Sequence, residues 1–175
     1  LATYKYENND MTLNYEKIHM LKLLDECFSK SYKDMRHKNI RIKVQAKDKF
    51  VSLYADKNQM KKAFENLINY CVSNAYEDTE IVCEIGKHND ENNVFISLGF
   101  ESPYVSSETI QNMFRMYTTS AEKMDKVGSS LSLYLAKQIN AHNGKINVES
   151  KKSNYNNYSI EIPCINECKL SAIAC

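Results

Sequence analysis

The chain has 175 residues, 43% hydrophobic and 26% charged, which is room for one domain with a substantial core. With 23 basic against 22 acidic residues, the charge balance points to neither a nucleic-acid nor a membrane surface. No apolar run approaches the ~20 residues of a membrane span, and the chain opens on Leu1 without a signal-peptide pattern, so we read it as a fragment of a longer cytoplasmic protein.

In chain order, LATYKYENND reads as the tail of a helix that loses its pattern at Asn8. MTLNYEKIHM is a short strand running into a helix to about Met35, with Leu21, Leu24 and Cys27 at helical spacing. IRIKVQA alternates as a half-buried strand, FVSLYA is a second strand, and Asp56 is placed to cap the next helix. In that helix Met60, Ala63, Phe64, Leu67, Ile68, Cys71 and Val72 carry the strongest periodic signal.

IVCEI and NVFISLGF form a predicted hairpin around HNDENN. A helix is expected from Ser107 to about Met116, then the polar stretch TTSAEKMDK, then a helix from about Ser130 to Ala141. Gly144 is suited to a left-handed cap on that helix. KINVES and YSIEIPC finish as strands. The mixture lacks strict alternation of strand and helix, which predicts an α+β sandwich.

The six cysteines sit mostly in apolar patterns and read as reduced thiols. Cys164 and Cys168 lack a second pair or a nearby histidine, so no metal is expected. The four histidines (His19, His37, His88 and His142) read as ordinary polar surface residues. Four glycines in 175 residues disfavour any glycine-rich loop.

Taken in order, these segments resemble the ATP-binding domain of a bacterial sensor histidine kinase, of the GHKL ATPase superfamily shared with gyrase, Hsp90 and MutL. YADKNQMKKAFENLINYC resembles the helix of the asparagine motif. ISLGFESPYVSSETIQNMF resembles the adenine-binding segment and the phenylalanine motif, with Phe114 in the Phe position. KVGSSLSLYLAKQINAHNGKINVES resembles the second glycine motif, its helix and the following strand. The resemblance implies about three helices on a mixed five-stranded sheet, with ATP between the asparagine helix and a lid at TTSAEKMDK. It divides the chain into 1–10, the end of a dimerisation helix or linker; 11–163, the ATPase domain; and 164–175, a tail.

Position by position, the resemblance also shows departures. The two asparagines that help hold Mg²⁺ and phosphates correspond to Asn66 and Tyr70. A phenol is a poor ligand for a hard cation that demands octahedral oxygens. The adenine-binding aspartate corresponds to Phe100, which accepts no hydrogen bond, and the adjacent glycines to Ser102 and Tyr104, whose ring is expected in the adenine pocket. In the loop that resembles GTGLGL, Gly128 and Leu131 remain, while Ser130 and Ser132 replace glycines that let backbone N–H groups reach phosphates. Asn69, Glu101 and Ser129 are the candidate rescuers, although Glu101 points away from Phe100's side of an extended segment.

Two functional readings follow. In the first, a degenerate domain of a two-component phosphorelay protein, a pseudokinase, binds no nucleotide cofactor. It acts through contacts with the dimerisation and phosphoacceptor helices of its homodimeric, membrane-anchored or soluble parent, with another histidine kinase, or with a response regulator. In the second, an active kinase domain uses ATP and Mg²⁺ with unorthodox contacts and phosphorylates a histidine on the dimerisation domain. Whether the domain is an enzyme is left open, and no catalytic residue is assigned within this segment.

Overall fold

The computed structural model describes residues 2–4, 12–47, 49–88, 92–115 and 138–164. Eight strands and three helices follow one another in these segments: β1 (Ala2–Tyr4), β2 (Tyr15–His19), α1 (Met20–His37), β3 (Arg41–Ala46), β4 (Ser52–Asp56), α2 (Lys57–Asn74), β5 (Glu80–His88), β6 (Asn93–Glu101), α3 (Ser107–Arg115), β7 (Lys145–Lys151) and β8 (Tyr155–Pro163). Residues 138–141 add the end of a further helix.

The main sheet runs β1-β7-β8-β6-β5-β3, while β2 and β4 form a separate two-stranded sheet. Its five longer strands form a mixed sheet in which β3 joins β5 in parallel and every other pairing is antiparallel. The period-two pattern of the sequence explains which face is covered. Ile96, Ile160 and Ile146 lie in one cross-strand row, and Leu98, Tyr158 and Val148 in the next, all buried. Helix α2 supplies Met60, Phe64, Leu67, Ile68 and Cys71 to the same core, each at most 1% exposed. The opposite face of the sheet carries Glu84, Ser97, Glu149 and Asn157 around a shallow polar trough.

Most of the expected elements are present at or near their predicted bounds. Asp56 does cap α2, its Oδ1 accepting from the Gln59 amide at 3.0 Å. Two expectations are corrected. Ala2–Tyr4 is a strand paired with Ile146–Val148, where the tail of a helix was expected. A β-branched residue and a tyrosine suit this short run to the open edge of β7 better than to a helix. Gly144 is not the left-handed residue; Asn143 is, at φ 57°. Glycine is needed at 144 for space, because a β-carbon there would stand 2.7 Å from both the Glu161 carbonyl oxygen and Ile139 Cγ2.

One further tie locks α1 to α2. Lys38, just past α1, donates from Nζ to the Val72, Ser73 and Ala75 carbonyls at 2.9, 2.9 and 2.6 Å, capping the end of α2. These carbonyls have no helical partner and carry the negative end of the helix dipole, so an ammonium there satisfies both. None of the helices among the described residues is long and apolar enough to cross a membrane.

Candidate functional site

Helix α2 places Asn66 and Tyr70 one turn apart, both half-buried, as their spacing requires. The Tyr70 ring leans inward toward β8, where it meets Tyr158 edge-on with centroids 5.5 Å apart. The Tyr158 hydroxyl donates to the Tyr70 hydroxyl at 3.2 Å. Burial, and secondarily the neighbouring Tyr70, raises the Tyr158 phenol above its ordinary value, so it stays protonated. On its other side Tyr158 stacks on Phe100, centroids 5.9 Å apart and planes 17° off parallel. Phe100 is 1% exposed. Two of the substituted positions, from different segments, are thus joined through a third aromatic ring.

Tyr158 was absent from the candidates, although its signal was present. In YNNYSIEI it shares the inward phase with Ile160 and Ile162. Asn156 has the same phase and was also passed over. It lies directly across from Phe100, 1% exposed. Its Nδ2 donates to the Ser102 hydroxyl and, at 3.0 Å, to the Pro103 carbonyl. Its Oδ1 is buried without a hydrogen-bond partner among the described residues. Ser102 is buried by this contact, at 3% exposed.

Tyr104 corrects an expectation. It is 43% exposed, held by its backbone N–H donating to Asn154 Oδ1 at 3.2 Å, so its side chain is not a buried plug. The extended segment after β6 turns it outward while Ser102 turns in. Among the rescue candidates, Asn69 is exposed. Glu101 is exposed on the sheet's open side, where with Glu84 and Glu80 it helps raise the Tyr155 phenol, an effect led by burial. Gly128, Ser129, Ser130, Leu131 and Ser132 lie outside the described residues.

The surface reading of the histidines holds for His19, His37 and His88, which are exposed, and fails for His142. It is 1% exposed. Its Nδ1–H donates to the Gln138 carbonyl at 2.7 Å, and its Nε2 accepts from the Asp56 amide at 3.0 Å. Those two bonds require the neutral ring, and burial lowers its pKa in agreement. Asp56 also accepts the Asn14 amide on Oδ2 at 3.0 Å. Ile139 and His142, three apart, face inward together, which is the pattern that could have found it. Cys27, Cys71 and Cys83 are buried core residues, and burial pushes the Cys27 and Cys83 thiols up to about 12.

With this geometry in place, comparison with known proteins gives the family. The profile of the histidine kinase-, DNA gyrase B- and HSP90-like ATPases matches residues 55–165. The chain belongs to this family. It is 23% identical over 150 residues to sporulation kinase E of Bacillus subtilis (strain 168), covering 85% of the chain and 20% of that kinase. The chain thus spans about a fifth of the length of this curated relative. Among solved structures, the nucleotide-free catalytic domain of histidine kinase ThkA superposes with TM-score 0.73 at 21% identity, covering 86% of this chain and 95% of that one. ThkA in complex with response regulator protein TrrA superposes with TM-score 0.69 at 18% identity, covering 87% of this chain and 42% of that one.

Proposed function

We propose that this chain is the ATPase-like domain of a two-component sensor whose nucleotide site is closed by its own side chains, and that it signals through protein contacts. The carrying observation is the Phe100–Tyr158–Tyr70 aromatic cluster. At the position where the family places a carboxylate for the adenine amine, Phe100 offers an apolar ring that is 1% exposed and stacked on Tyr158. The lost charged hydrogen bond corresponds to roughly ten- to a hundredfold in affinity. At the second asparagine position, Tyr70 directs its hydroxyl into a bond with Tyr158. Phe100 and Tyr70 therefore do not fit Mg²⁺-ATP. The partners consistent with this reading are the dimerisation helices of the parent, a second kinase, or a response regulator.

Isothermal calorimetry with ATP and a non-hydrolysable analogue, each with and without Mg²⁺, tests the reading. No heat at millimolar nucleotide is the expected result, and micromolar binding overturns it.

One observation favours a second reading, an active kinase domain. The Oδ1 of Asn156, the residue across from Phe100 in the sheet, is buried without a hydrogen-bond partner among the described residues and is an acceptor in want of a donor such as an adenine amine. On that reading Asn156→Ala abolishes nucleotide binding, and the full-length parent incorporates label from ATP on its acceptor histidine.

A further inference from the structure

Strand β3 ends the main sheet: it pairs with β5 on one side, and no strand among the described residues pairs with the other. The amides of Arg41 and Lys47 donate toward β5's side, to Thr79 and Ile85. Strand geometry therefore turns the N–H and C=O groups of Ile42 and Val44 outward along the free edge. Beside that edge runs a groove of about 390 Å³ lined by Leu24, Phe28, Tyr32 and Met35 of α1 and by Ile42 and Val44. Tyr32 is 58% exposed and Val44 48%, large apolar side chains left on a surface. The other face of the strand has the opposite chemistry. Arg41 and Lys43 are exposed there and make no ion pair among the described residues, and Lys47 follows with its ammonium over the Phe95 ring.

We infer that the free edge of β3 is a docking site for an extended segment of a partner protein in which apolar and acidic residues alternate. Such a segment adds a seventh strand. Its main chain satisfies the outward groups of Ile42 and Val44, its apolar side chains enter the α1 groove, and its carboxylates meet Arg41 and Lys43. The charge pattern selects this occupant over a second copy of the chain, because antiparallel self-pairing would bring Arg41 and Lys43 against their own counterparts. A helix in the groove would cover the strand's outward amides without pairing them.

The test uses the 175-residue chain and a labelled short peptide alternating glutamate with valine and isoleucine, followed by fluorescence anisotropy. The expected result is saturable binding that weakens with salt and is absent for the same peptide with lysine in place of glutamate. Val44→Pro removes one outward N–H from an edge position that tolerates proline, and should weaken binding by about tenfold or more. The double variant Arg41→Glu/Lys43→Glu, which leaves the backbone edge intact, should reverse the preference toward the lysine peptide. Three results overturn the proposal: no binding, equal affinity for the two peptides, or binding unchanged in both variants. Concentration-dependent dimerisation lost in Val44→Pro would assign the edge to a second copy instead.

Discussion

Replacing Phe100 with alanine is the most informative single change in the core. The ring is 1% exposed and stacked on Tyr158, with Asn156 fixed opposite it in the sheet register. A strand held by hydrogen bonds on both flanks cannot collapse into the space. Truncation should therefore cost the upper part of the usual range, about 4 kcal/mol, including the lost ring contact. For a domain of this size that is a fall in Tm of about 8–16 °C. Total stabilities of about 5–15 kcal/mol leave the variant folded at low temperature. The cavity is ring-sized and bounded by the Tyr158 ring, so benzene or indole should restore part of the loss. ATP should restore none. Urea denaturation and a thermal scan with each additive supply the measurements. A loss below about 1 kcal/mol would mean that Phe100 is not a packed element of the core. Rescue by ATP would mean that the ring merely blocks a working site, and the closed-site reasoning would fail.

Three other outcomes follow. The folded-state pKa of His142 lies below its ordinary 6.5, so the unfolded chain binds its proton more readily. Stability from this group should be full above pH 6.5, decline as pH falls through 6.5 toward the folded value, and then level off; a pH series of urea midpoints in which His142→Phe keeps the same acid limb would refute this. Lys38→Met should cost about 2 kcal/mol with an unchanged urea m-value, since it strips one half-buried cation from three carbonyls. Gly144→Ala should cost about 1–3 kcal/mol through contact with the Glu161 carbonyl, whereas Asn143→Gly should change stability by no more than about 0.5 kcal/mol.

The elements whose periodicity reports burial were legible in the sequence. The run from Met60 to Val72 and the alternation of IVCEI, KINVES and YSIEIPC predicted their inward faces, because a single physical cause, removal of apolar surface from water, sets both pattern and position; in IRIKVQA, at the sheet edge, Val44 is left 48% exposed. The substituted positions were legible as residues, and their geometry was not. That Tyr70 and Phe100 meet through Tyr158 depends on β8 lying beside β6, a pairing between segments more than fifty residues apart. Tyr104 was misjudged because its chemistry says aromatic while the extended segment after β6 decides direction. His142 was misjudged because a polar residue on an inward helical phase is favourable only where partners exist, here the Gln138 carbonyl and the Asp56 amide.

The place of β8 in the sheet has a consequence for how this chain reaches its fold. Strand β8 lies between β7 and β6, in the interior of the sheet. A nascent chain that has emerged only as far as Lys151 holds β6 with one edge bare and Val94, Ile96 and Leu98 lacking their cross-strand neighbours. Cooperative closure must wait for β8, so the sheet closes after synthesis of Tyr155–Pro163 and not progressively from its start. Until then the naked flank of β6 is the surface most open to pairing with another chain, and the interval of translation is when aggregation competes most directly with folding.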